Sequence, residues 1–286
     1  MHRAYLSRRR ARTHAREVCF IAISGLAYKT GVRVASLHVY PLKGARGIAL
    51  NRAEIRYAGI EHDRRFMLID ENGAFITQRS HPRLALVETA IDGHAIVIAG
   101  VHVSAEGPRR TVRVWNDDVE AIEVHGDAPR RLSDHLGEPV TLVFMPDDVV
   151  RQVDLDYAHP GDRVGFADAF PLLVATQASL DDLNGHLGDP VPMNRFRPNV
   201  VVEGAAPWEE EYKTAAWIGS IEVRMPKRCA RCNVTLVDQA TAERGKEPLK
   251  TLAKLRAKEN KVYFAKNAIP EAEGPVAVGD PVIWIR

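Results

Sequence analysis

Cysteine is scarce in this chain: there are three in 286 residues, Cys19, Cys229 and Cys232. So few do not make a disulfide framework, and a reducing compartment suits a reactive thiol. An excess of one charge is also missing. The formal net charge is +2, which gives no case for nucleic acid as a partner. The apolar stretch Val18–Ala27 is broken early and falls far short of the roughly 20 residues needed to span a bilayer. Nothing around Met145–Gly161 is long enough for a flexible linker, so two tightly packed halves are expected to meet there.

What the chain does have is apolar content of 45%, enough for a substantial core in one or two domains. Residues 1–16 carry six arginines and no acid, so the basic balance comes from the tail and the body is mildly acidic. Arg8–Arg10 ahead of Val18–Ala27 has the outline of a charged leader and a short apolar stretch. A disordered basic extension over residues 1–31 is preferred to export or an organelle address, with the protein in the cytoplasm.

Beyond Val32 the pattern is mainly strand. Ala35, Leu37 and Val39 alternate with polar positions until Pro41. Short runs then return across turn signals: Arg65–Ile69 with Ala74–Gln78 about Asn72-Gly73, Leu84–Ile91 with Ala95–Val103, and Thr111–Trp115 with Val119–Val124. Such a series predicts an antiparallel barrel or sandwich. Three helices are expected: Pro129–Leu136 capped by Asp127, one opening at Ser179 and running to Gly188, and an amphipathic one over Pro248–Lys258. Pro207–Glu211 and Trp217–Gly219 look like a surface excursion, and Val276–Ile285 like a closing strand.

The chemistry concentrates in Cys229-Ala-Arg-Cys232, which lies among Lys227, Arg228 and Arg231. Neighbouring cations favour the reactive thiolate, and Asn233–Val237 reads as a strand that the pair would enter. Spacing alone leaves alternatives open. Zinc wants four ligands and the third cysteine lies far upstream; a thioredoxin-type pair would open a helix; two buried inert thiols are the plain reading. Lys43 beside Gly44 offers an ammonium and an approachable amide to an anion, or is a solvated turn. Arg64 suits an ion pair with Asp63, Arg197 a phosphate or an interdomain pair, and Thr176 and Ser179 either a cap or an anion site.

Taken together, Tyr40-Pro-Leu-Lys43, Asp63-Arg64, Asn194-Arg-Phe-Arg-Pro-Asn199, Cys229-Ala-Arg-Cys232 and Val278-Gly-Asp-Pro-Val282 resemble the MOSC-domain family. The resemblance is closest to the subgroup of amidoxime-reducing components and their bacterial relatives, and it covers Val32 to Arg286. It implies a MOSC N-terminal β-barrel-like domain over 32–146 packed on a MOSC β-barrel over 147–286. It implies a molybdenum cofactor on a pterin, with Cys232 as the metal ligand and Lys43, Gly44, Arg64, Asp168, Ala169, Phe170, Arg197 and Arg231 around it. Relatives often carry serine where this chain has Gly44, and Arg79 is expected as scaffolding near the site. The implied activity is reduction of small N-hydroxylated substrates. Some relatives append an iron–sulfur domain, which is not expected here, so electrons would come from a separate ferredoxin or flavoprotein. The other reading the resemblance allows is a carrier of cofactor or persulfide sulfur, without pyridoxal phosphate.

Overall fold

The computed structural model describes residues 31–286, together with a short pairing of Ala22–Ile23 with Leu26–Ala27. The extension expected over residues 1–31 lies almost wholly outside the described residues. The architecture is mainly β with three α-helices among those residues. Its backbone is a nine-stranded sheet in which Val282–Ile285, Ala215–Ile218, Ile221–Ala230, Lys261–Pro270, Leu172–Thr176, Val200–Glu203, Arg33–Val39 and Ile48–Leu50 lie side by side, with Ala257–Lys258 paired to Lys261–Pro270.

The sheet joins early and late parts of the chain. Arg33–Val39 pairs antiparallel with Val200–Glu203, and Arg52–Arg56 pairs with Gly274–Ala277. Leu172–Thr176 and Val200–Glu203 run parallel, joined across the helix Gln177–Asn184. Parallel strands need such a crossover and are covered on both faces, which is why Leu172-Leu-Val-Ala-Thr176 is buried at every position.

The remaining strands of the first half form a four-stranded sheet, Arg109–Val114, Asp117–Val124, Thr141–Phe144 and Phe66–Ile69, beside a three-stranded one over Thr89–Asp92, Ala95–Ile98 and Val101–Val103. These ladders are open rather than closed on themselves. Two apolar clusters fill them, one around Leu68, Leu84, Ile98, Leu132 and Leu142, the other around Met67, Val112, Val143 and Phe166.

Several local expectations are corrected. Ala74–Gln78 is not a strand: it makes only isolated bridges at Ala74 and Phe75, then turns at Thr77. The run Leu84–Ile91 begins inside the 3-10 turn Pro82–Leu86 and becomes strand only at Thr89. Asp127 is the first residue of its helix, after Gly126, and provides no cap. In Gln177–Asn184 the cap is Thr176, whose side chain accepts from the Ser179 amide, and the helix stops at Gly185 rather than Gly188. The third helix is shorter than expected, Leu249–Arg256. Residues 276–285 divide into the end of one strand and the whole of another, separated by the turn over 278–281. Neither Pro207–Glu211 nor Trp217–Gly219 is a surface excursion, because Trp208, Glu210 and Glu211 are buried and Trp217 and the fully buried Ile218 lie in the strand Ala215–Ile218.

Candidate functional site

The long strand Ile221–Ala230 carries Cys229 near its end, and Cys232 opens the 3-10 turn Asn233–Leu236. The cysteine pair therefore leaves a strand instead of entering one. Thr235 decides this locally. Its amide and its hydroxyl both bond the Cys232 carbonyl, at 3.1 and 2.9 Å, and its side chain is fully buried. Such back-bonding competes with a ladder and overrides the β-propensity of Val234, Thr235 and Val237. Arg195 braces the same turn, donating to the Thr235 carbonyl at 3.2 Å and lying 3.5 Å from Asp238.

A cavity of about 310 Å³ opens over this turn, between the two halves of the chain. Lys43, Gly44, Arg64, Asp168, Ala169, Phe170, Arg197, Arg231 and Cys232 all line it, together with Arg79, Cys229 and Lys227. One wall is ionic. The Lys43 Nζ is buried and donates to Asp168 Oδ1 at 2.5 Å and to the Phe166 carbonyl at 2.6 Å. Burial pushes the Lys43 amine down, and Asp168 only partly offsets that. The protein around Asp168 disfavours its charge, but Lys43 and Arg79 outweigh this and hold the carboxyl well below the usual range.

Arg79 is more than scaffolding. Its Nη2 lies 3.0 Å from Asp168 Oδ2 and 3.3 Å from Cys232 Sγ, so it connects the carboxylate to the sulfur. Its guanidinium rests 4.7 Å from the centre of the Trp115 ring, at the tip of the Arg109–Val124 hairpin. Burial works against the Arg79 charge, and Asp168 and Cys232 more than compensate.

The opposite wall is built on Tyr40. The guanidinium carbons of Arg64 and Arg197 lie 4.1 and 4.3 Å from the centre of its ring, an arrangement stabilised by the ring quadrupole. Burial raises the phenol to about 12, and its hydroxyl donates to the Pro198 carbonyl at 3.0 Å. Arg64 spends its donors within the protein, on Asp63 at 2.5 Å, Asn199 at 3.2 Å and the Arg197 carbonyl at 3.2 Å. The expected Asp63 pair is therefore present in a residue that also faces the cavity.

Arg197 differs. Its Nη1 donates to the Ala45 carbonyl at 2.7 Å, while its buried Nη2 has no hydrogen-bond partner. Burial, with Arg64 adding repulsion, lowers this guanidinium to about 10. Arg231 likewise leaves its buried Nε unpartnered while donating to Cys229 Sγ at 2.9 Å and to the Phe196 carbonyl at 2.8 Å. A buried donor without a partner costs about 1–3 kcal/mol, so these two groups call for an acceptor in the cavity. An anion with several oxygens meets that demand.

Of the two readings of Thr176 and Ser179, the cap holds, and the place of an external anion is already filled. Both hydroxyls bond the buried Glu210 carboxylate at 2.9–3.0 Å, so the helix start is neutralised from within. Sequence reasoning also missed the residues that support the walls. Arg151, buried, donates to the carbonyls of Gly165, Ala167 and Asp168 at 3.0, 2.6 and 3.2 Å and so shapes the loop that carries Asp168. Gln78 and Gln239 exchange amide bonds at 3.0 and 2.9 Å beneath Gly44. No motif announces either. Asn199, in the Asn194–Asn199 motif, joins His38, Leu173 and Arg64.

Residues 31–139 match the MOSC N-terminal beta barrel domain and residues 161–283 the MOSC domain. The chain is similar to mitochondrial amidoxime-reducing component 1 of Homo sapiens, with 30% identity over 275 residues, covering 87% of this chain and 82% of that protein. The Mus musculus component 1 is 30% identical over 87% of this chain and 81% of its own length. Mitochondrial amidoxime reducing component 2 of Homo sapiens is 29% identical over 87% and 82% respectively.

Proposed function

Because this chain belongs to the MOSC family, among relatives named as amidoxime-reducing components, we propose that it is a molybdenum-cofactor-dependent reductase of N-hydroxylated compounds. The observation that carries the reading is the buried, unpartnered Arg197 Nη2 in a cavity wall that also exposes a soft sulfur donor at Cys232. A pterin phosphate supplies the missing acceptor, and a thiolate is a suitable ligand for the metal. Lys43, Arg197 and Arg231 would hold the anionic group, with Arg64 fixed behind them and the Gly44 amide beside them. Asp168, Ala169 and Phe170 would line the pocket beside it, with Asp168 joined to Cys232 through Arg79.

When bound, the cofactor supplies the two-electron redox chemistry. The chain's own residues do the rest. Arg79 holds a charged donor on Cys232 Sγ, and Arg231 does the same for Cys229; both act on the sulfurs from outside the metal's immediate ligands. Phe170, Leu172 and Phe196 limit water on the cavity floor. Overall, an N-hydroxyl substrate, two electrons and two protons give the amine or amidine and water. The electrons come from a separate protein donor, a ferredoxin or flavoprotein. Among the described residues no helix is long and apolar enough to cross a membrane, which says nothing of a β-barrel. The reading assigns this chain to the cytoplasm, where thiols stay reduced, although the named relatives are mitochondrial.

The test is molybdenum content and pterin fluorescence after oxidative release, on protein from a cofactor-competent host. Near-stoichiometric metal is expected in wild type, none in Cys232→Ser and a substantial fraction in Cys229→Ser; the loaded protein should reduce hydroxylamine with a chemical reductant. Absence of metal from all three, in a host that loads another molybdoenzyme, would overturn the reading. It would favour sulfur transfer, since both thiols face the same cavity.

A further inference from the structure

The described body is acidic, and its basic residues are unevenly placed. Residues 31–286 hold 32 Lys and Arg against 36 Asp and Glu. Within them, residues 244–261 hold seven basic against two acidic residues, and everything else holds 25 against 34. This short segment is thus strongly positive on a described body that is otherwise net negative.

The segment is exposed and largely unpaired. Lys246, Lys250, Lys254, Lys258 and Lys261 are all exposed. Among the described residues only Lys258 of these has an acidic partner, Glu259 at 3.7 Å. Lys250 and Lys254 share one face of the helix Leu249–Arg256, and the Lys250 amide bonds the Lys246 carbonyl at 3.2 Å, which sets Lys246 one turn earlier. Glu247, the other acid, is occupied in accepting the Thr251 amide at 3.0 Å.

The segment also adjoins the candidate site. Arg244 donates to the carbonyls of Gln78 and Arg79, and Arg79 touches Cys232 Sγ. The Gly245 amide bonds the Leu236 carbonyl at 3.0 Å, at the end of the turn that Cys232 opens. Leu249 and Leu252 pack into the apolar cluster that also takes Cys229 and Phe196.

We propose that Lys246, Lys250 and Lys254 form the docking surface for an acidic electron-carrier protein. This rests on the reductase reading. A positive patch on a negative body orients an acidic partner toward one face and raises its encounter rate about 10- to 1,000-fold, steeply reduced by salt. A membrane surface fits less well. An interfacial helix needs an apolar face to insert, whereas here Leu252 is buried, Leu249 is packed inward, and only Leu255, 39% exposed, is available.

The experiment titrates an acidic [2Fe–2S] ferredoxin onto the full chain at low and high ionic strength, and separately measures reduction of hydroxylamine driven by dithionite. In the triple variant Lys246→Glu, Lys250→Glu, Lys254→Glu, the ferredoxin Kd at low salt should rise at least about tenfold and lose its salt dependence, with dithionite-driven kcat unchanged. The control Arg52→Glu, Arg56→Glu, Arg130→Glu makes the same charge change outside the segment and should leave the Kd within about twofold, by the screening of distant charges. An unchanged Kd in the first variant, or an equal rise in both, would overturn the docking surface. So would loss of binding to phosphatidylserine vesicles with ferredoxin binding intact. Failure of dithionite-driven turnover in wild type would instead count against the reductase reading, and the ferredoxin titration still decides the surface.

Discussion

Gly44 shows how much one backbone angle decides. Its φ is +85°, and a Cβ built there would lie 2.5 Å from Leu84 Cδ2, a side chain with no exposure. Relatives in the resembling family often carry serine here, and a comparison of letters suggests only a lost hydroxyl contact. The structure gives a different cost. A side chain in this left-handed conformation is strained and must also displace core packing. Gly44→Ser is expected to destabilise the fold by about 1–3 kcal/mol, seen as a lower denaturant midpoint at unchanged m; an unchanged midpoint would mean that the loop relaxes freely. The charged residues were legible in type and position, because lysine, arginine and cysteine advertise their chemistry. Their division of labour was not. Arg64 and Arg197 read alike, yet one bonds Asp63, Asn199 and a carbonyl and the other retains a buried unpartnered nitrogen, a distinction that depends on carbonyls more than a hundred residues away.

At the scale of elements, strand periodicity was readable wherever one face is buried, as in Arg33–Val39. It misled at Asn233–Leu236, where a buried threonine closes a turn, and at Ala74–Gln78, where the backbone makes two isolated bridges and leaves. The start of the helix Gln177–Asn184 reads as a cap or an anion site; it is a cap, and the anion it meets is part of the chain. Glu210 is fully buried against Thr176 and Ser179, and burial raises its pKa above the ordinary 4.5 despite those hydrogen bonds. A carboxyl that binds its proton more tightly folded than unfolded keeps its full stability contribution below pH 4.5 and loses it as pH rises through the folded value. Glu210→Gln stays neutral throughout. Its stability relative to wild type should therefore improve as pH rises above 4.5 and level off above the folded value, in urea melts at several pH values. A difference independent of pH would mean that the carboxyl titrates normally.

For the whole molecule, the halves visible in the sequence are not independent bodies. Residues 33–39 and 48–50 are strands of the sheet that carries Cys229, and 52–56 pairs with 274–277. Val34, Leu37, Val39 and Ile55 lie in one apolar cluster with Val200, Val223, Met225 and Val282. Local pattern cannot reveal such pairing, because a strand's partner is fixed by a distant face needing the same burial. The consequence is cooperativity. Removing residues 31–56 would strip the Val200–Glu203 strand of a neighbour and open the core around Leu37 and Ile55, so the second half should not fold alone. Trp115 reports on the first half, and Trp208, Trp217 and Trp284 report on the second. A variant keeping only Trp115 and another lacking only Trp115 should therefore unfold at the same temperature relative to their own circular-dichroism transitions. Two separated transitions, the Trp115 signal melting apart from the others, would mean that the strands shared across the chain contribute little to stability. The cavity would then lie between two separately folded parts, because Lys43 and Arg79 face Arg197 and Cys232 only while those shared strands hold the two parts together.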